Sequence, residues 1–144
     1  MLVSQILKLK PGDGVVTIAP DARVSDAAAL LSSHKIGAVV VSPDGKAVAG
    51  ILSERDIVRQ IGKGGANCLD DQVDSLMTSK IITCTPADQS DVVLEMMTNG
   101  RFRHLPVMKD GAMIGLISIG DVVKARLSQL AMENNALEGM IAGH

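Results

Sequence analysis

Aromatic side chains are almost missing from this chain of 144 residues, which has one Phe, Phe102, and no Trp or Tyr. That scarcity argues against binding single-stranded nucleic acid by stacking, because base stacking needs aromatic platforms. Cysteine is scarce as well: Cys68 and Cys84 fall outside any Cys-x-x-Cys or Cys/His spacing. Neither a disulfide framework nor a zinc site is encoded, and each cysteine reads as a small buried hydrophobe with a free thiol. Charge of one sign is lacking too, since 14 basic and 16 acidic side chains leave a formal charge of −2. This balance speaks against a polyanion-coating protein or a membrane-surface binder, although Lys8, Lys10, Arg55, Arg59, Lys124 and Arg126 are present. No apolar run has the length a bilayer demands, and the hydrophobic part of residues 1–10 is too short for a secretory signal. A cytoplasmic protein is expected, with neither membrane nor nucleic acid as partner.

What the chain does have is apolar content, 47% against 21% charged, at a length that buries a core without disulfide support. It also repeats itself. Val16-Thr17-Ile18-Ala19-Pro20 returns as Ile82-Thr83-Cys84-Thr85-Pro86, Ser25-Asp26 as Ser90-Asp91, and Pro43-Asp44-Gly45-Lys46 as Lys109-Asp110-Gly111-Ala112. The segment from Gly50 to Arg59 returns most clearly, from Gly115 to Lys124, and the lead-in Val3–Leu7 resembles Val73–Met77. The boundary is expected in the glycine-rich stretch Gly62 to Asn67, dividing the chain into repeats at 1–66 and 67–144.

Within each copy the hydrophobic period switches between helix and strand. Val24, Ala27, Ala28 and Leu31, and in the second copy Val93, Met96 and Met97, recur at helical spacing. Met at such spacing reads as core filler rather than as an adaptable binding groove. Ala38–Ser42 and Leu105–Met108 read as strands, and the Asp-Gly pairs mark hairpin turns into Val48–Leu52 and Met113–Ile117. A further helix begins at Ser53 and at Ser118. The fold class is therefore α/β (α+β), with two pseudo-symmetric β-α-β-β-α repeats. The last helix is expected to run toward Leu137, Met140 and Ile141, with a break at Asn134-Asn135.

The element Gly-x-x-Ser-x-x-Asp, at Gly50/Ser53/Asp56 and again at Gly115/Ser118/Asp121, carries two readings. In one, Ser and Asp form a capping box that satisfies free amides at a helix start. In the other, a carboxylate at the positive end of a helix accepts the hydroxyls of a ribose, while the helix start and the Ser hydroxyl favour phosphate nearby. Arg55, Arg101, Arg103 and His104 are charge-assisted donors suited to phosphate oxygens.

These pieces occurring together in duplicate make the chain resemble a tandem pair of CBS domains, the module named for cystathionine β-synthase, from about Val3 to Lys124. The matching residues are the two Thr-x-x-Pro runs, the stretch Arg103-His104-Leu105-Pro106-Val107 and the two Gly-x-x-Ser-x-x-Asp elements. The resemblance implies two repeats packed as one pseudo-twofold module whose two clefts bind adenosine-containing ligands. It implies that Asp56 and Asp121 hold ribose, that Ser53 and Ser118 lie near ribose or phosphate, and that backbone around Thr17 and Thr83 meets adenine. Leu105 and Pro106 would wall the base, with Gly37, Ala38 and Val39 as their counterparts. The copies differ, having Arg103-His104 opposite Gly37-Ala38 and Gly120 opposite Arg55, so unequal clefts are expected.

The expected function is a non-catalytic sensor module for an adenine nucleotide, AMP, ADP, ATP or NAD(H), acting on its own homodimer or on another protein. No nucleophile triad, Walker-type loop or ligand cluster for a metal is encoded. The competing reading is a structural dimerisation scaffold with degenerate, empty clefts.

Overall fold

The computed structural model describes residues 1–10 and 14–141. The first half runs α1 (Val3–Leu9), β1 (Thr17–Ile18), α2 (Val24–His34), β2 (Ala38–Val41), β3 (Gly50–Ser53) and α3 (Glu54–Gly64). After a 3-10 turn at Ala66–Asp70 come α4 (Val73–Leu76), α5 (Ser90–Gly100), β4 (His104–Lys109), β5 (Ala112–Ser118) and α6 (Ile119–Ile141). β2 lies between parallel β1 and antiparallel β3, and β4 pairs antiparallel with β5.

The first half contains the whole expected unit, whereas in the second the opening strand shrinks to one parallel bridge between Cys84 and Val107. A proline explains the loss. In the first half Val40 N donates to Val16 O at 3.3 Å, and Ser42 N to Ile18 O at 2.9 Å. Cys84 stands where Ile18 stands: its N donates to Pro106 O at 3.0 Å and its O accepts from Met108 N at 2.8 Å. Pro106 takes the place of Val40 and has no N–H to give back, so the ladder loses a rung.

The hairpins also differ. Asp110 and Gly111 have φ of 53° and 80°, as a two-residue type I′ turn requires, and join Lys109 directly to Ala112. In the first hairpin Ser42 Oγ accepts from Gly45 N, and the Asp44 carboxylate accepts from Lys46 N and Ala47 N, each at 2.8 Å. This wider loop delays β3 to Gly50 instead of Val48. The glycine-rich boundary is partly helical: Gly62 and Gly64 complete α3, and Gly65 ends it at φ 82°. Asn134-Asn135 do not break α6, which is continuous over 23 residues.

Two cores form, one per half. The first contains Val24, Ala27, Leu31, Val39, Leu52 and Ile57; the second contains Val93, Met97, Leu105, Val107, Ile117 and Val122. The lead-in helices, however, are exchanged. Val3 and Ile6 of α1 bury in the second core, while Val73 of α4 buries in the first. The backbone follows the same rule: Val3 N donates to Asp88 O and Ser4 N to Pro86 O, just as Val73 N donates to Ala22 O and Asp74 N to Pro20 O. Each such buried side chain contributes about 1.5–3 kcal/mol, so each half depends on the other's helix.

Both cysteines are free and buried, and burial, helped by Asp88, pushes the Cys84 thiol up to about 11. Among the described residues no helix is long and apolar enough to cross a membrane.

Candidate functional site

The repeated turn after the first helix of each half shapes the sites. α2 and α5 both end on a left-handed residue, Lys35 at φ 53° and Arg101 at φ 58°. In each case the next amide reaches back five residues, Ile36 N to Leu31 O at 3.1 Å and Phe102 N to Met97 O at 3.0 Å. This closure throws the following residues across the top of the sheet. In the first half they are Ile36 and Gly37; in the second they are Phe102 and Arg103.

At the opposite side of each site stands a helix start. Ser53 caps α3: Asp56 N donates to its Oγ at 3.2 Å, and its own N and Oγ both donate to Asp56 Oδ2 at 3.0 Å. Ser118 and Asp121 repeat this, with Ser118 N to Asp121 Oδ2 at 2.8 Å and Asp121 N to Ser118 Oγ at 3.1 Å. The capping box is therefore real in both copies. It leaves both carboxylates partly exposed, at 16% and 23%, in the walls of two clefts.

Each cleft takes its acid from one repeat and its facing wall from the other. The first, about 490 Å³, joins Ser53, Arg55, Asp56 and Arg59 to Ile81, Arg101, Phe102, Arg103 and His104. The second, about 630 Å³, joins Ser118 and Asp121 to Val15, Val16, Ile36, Gly37 and Ala38. Both volumes suit a small organic ligand. Gly37, His104 and Ser118 border both clefts, which therefore adjoin.

Their electrostatics diverge. Four guanidinium groups, Arg55, Arg59, Arg101 and Arg103, line the first cleft, and Arg59 lies 3.6 Å from Asp56 Oδ1. The second has one ammonium, Lys10, whose Nζ lies 2.8 Å from Asp121 Oδ2 and donates to Leu116 O at 2.7 Å. Burial pushes the Asp121 carboxyl up, but Lys10 and the Ser118 amide outweigh it and hold it below the ordinary aspartate value. Burial holds the His104 imidazole below its ordinary value, with Asp121 opposing and Lys10 and Arg103 assisting.

Among the residues singled out in the sequence, Ser53, Arg55, Asp56, Arg101 and Arg103 come together in the first cleft, Ala38 and Asp121 lie in the second, and Gly37, His104 and Ser118 are shared. Val39 and Leu105 are fully buried in the two cores, and Pro106 is buried beside Leu105. Thr17 pairs with Val40 in the sheet and Thr83 is exposed, while Val16, just before Thr17, and Ile81, two residues before Thr83, line the clefts. In the sequence Arg59 and Lys10 stand only as members of a diffuse basic set. Arg59 had a local signal, three residues beyond Asp56 on one helix face. Lys10 had none, because it meets its partner across the exchanged lead-in.

The CBS domain family model matches residues 3–63 and 73–128. The CBS domain-containing protein CBSX3, mitochondrial, of Arabidopsis thaliana is 40% identical over 85% of this chain, which spans 62% of that protein's length. A crystal structure of a CBS-domain containing protein from Agrobacterium tumefaciens superposes with a TM-score of 0.82 at 45% identity, covering 88% of this chain and 99% of that one. The structure of CBSX2 in complex with AMP matches at a TM-score of 0.72 and 25% identity, covering 88% and 96%.

Proposed function

The chain belongs to the CBS-domain family, and from that premise we propose that it is a non-catalytic regulatory module binding an adenosine-containing nucleotide in the clefts between its repeats. The observation that carries this is the first cleft, where four arginines and His104 surround a capped carboxylate in a space of ligand size. Asp56 accepts the ribose hydroxyls, Ser53 sits beside the sugar, and Arg55, Arg59, Arg101 and Arg103 neutralise phosphate with charge-assisted bonds. The base lies against the segment leading into Thr83, with Phe102 beside it and Leu105 and Pro106 supporting the wall from behind. The second cleft repeats the plan with Asp121 and Ser118, and with the segment leading into Thr17, along Gly37 and Ala38. AMP, ADP, ATP and NAD(H) share this ribose and phosphate chemistry, and the relative CBSX2 has been crystallised with AMP. Occupancy is signalled to a homodimer partner or to another protein, in the cytoplasm, where two buried free thiols are at home.

A second reading, an empty structural scaffold, draws support from Lys10. Its ammonium already holds Asp121, so a ribose entering the second cleft must displace it. Calorimetry with AMP, ADP, ATP and NADH separates the two. The expected result is binding by at least one of them, weakened about tenfold to a hundredfold by Asp56→Ala and by Arg103→Ala, equivalent to about 1.5–3 kcal/mol. No heat with any of the four favours the scaffold. A collapse of unliganded Tm in Asp56→Ala, with affinity per folded molecule unchanged, reduces Asp56 to a helix cap.

A further inference from the structure

α6 carries an apolar seam that its own chain leaves uncovered. Among the described residues, its core contribution ends at Val122 and Ala125, and from residue 131 to 140 every side position except Gly139 is exposed. More than two turns of helix thus stand without tertiary support, a length that is marginal in water by itself. On this stretch Val123, Leu127, Leu130, Asn134 and Leu137 follow at alternating spacings of four and three. Val123, Leu127, Leu130 and Leu137 are 44%, 63%, 40% and 56% exposed. Alternating four and three is the 3.5-residue period of a helix-pairing seam. At about 100° per residue it lies about 130°, more than a third of a turn, from the Val122/Ala125 face, clear of the core.

We propose that this seam is the contact with a second copy of the chain, the two α6 helices pairing antiparallel from Val123 to Leu137. Charge sets the direction. Lys124 and Arg126 flank the seam at its start, and Glu133 and Glu138 flank it at its end. Parallel pairing sets Glu133 beside the partner's Glu138 twice, like against like. Antiparallel pairing, with Leu127 against the partner's Leu137, sets Lys124 beside the partner's Glu138 twice, and only Glu133 meets its own copy at the axis. Asn134, the single polar residue of the seam, then falls in the two central layers, where a polar group costs stability but discriminates between registers. This inference rests on the homodimer reading and is independent of nucleotide binding.

Sedimentation of the full-length protein and its variants tests it. Leu130→Glu is expected to lower the particle mass while the folded body keeps its thermal transition. Lys124→Glu should weaken self-association about tenfold, and adding Glu138→Lys should restore it. A short bis-maleimide should link Ala131→Cys, which lies at the axis, into a covalent dimer but leave Met132→Cys, on the far side of the helix, unlinked. A monomeric wild type overturns both the seam and the homodimer reading. A dimer whose mass ignores Leu130→Glu and both charge changes overturns the seam alone.

Discussion

Among the described residues His104 is the one titratable side chain that borders both clefts, half-buried, with Asp121, Lys10, Arg103 and Glu54 acting on it. Its folded pKa lies below the ordinary value of 6.5, mainly through burial. The unfolded chain therefore binds a proton more readily than the folded one, and stability rises with pH through this window. The unliganded protein should melt at a lower temperature at pH 5.5 than at pH 7.5, and His104→Gln should reduce that difference. An unchanged pH dependence in the variant would show that His104 contributes nothing to it. Asp121 works in the same direction in a more acidic window, since its lowered pKa supplies stability that is present above the ordinary value of 3.8 and lost on further acidification. At this scale the sequence was legible where partners are close along the chain. Ser53 with Asp56, and Ser118 with Asp121, are three residues apart and were readable as caps; Lys10 with Asp121 was not, because no local pattern joins them.

Among the elements, the hairpins and the helices following them were readable from period and turn chemistry. The missing first strand of the second half was not, because its cause lies in Pro106 on the neighbouring strand. The close fit of the lead-ins was hidden too, behind glycines that belong to the repeat motif. A Cβ on Gly50 would lie 2.7 Å from both Met77 Sδ and Thr78 O, the latter backbone fixed by its bridge to Ile51. One on Gly115 would meet only the ends of the Leu7 side chain, at 2.8 and 3.1 Å. Gly50→Ala should therefore cost about 1–3 kcal/mol in urea unfolding, and Gly115→Ala less, since a leucine tip yields where a peptide group does not. Equal losses would mean that the second lead-in is no more rigidly placed than the first.

For the molecule as a whole, the twofold repetition was plain in the sequence, and so was the inequality of the clefts, since Arg103 stands opposite Gly37. Which repeat each acid would face was not, because the same motifs serve either arrangement until the helices α1 and α4 are placed. Their exchange has a consequence for the severed chain. Residues 1–62 and 66–144, produced separately, would each carry the segment that completes the other and lack the one that completes itself. Neither fragment should melt cooperatively alone, whereas an equimolar mixture should reassemble, co-elute on a sizing column and regain one sharp transition. Independent folding of either fragment would show that the traded helices are ornament to cores already sufficient.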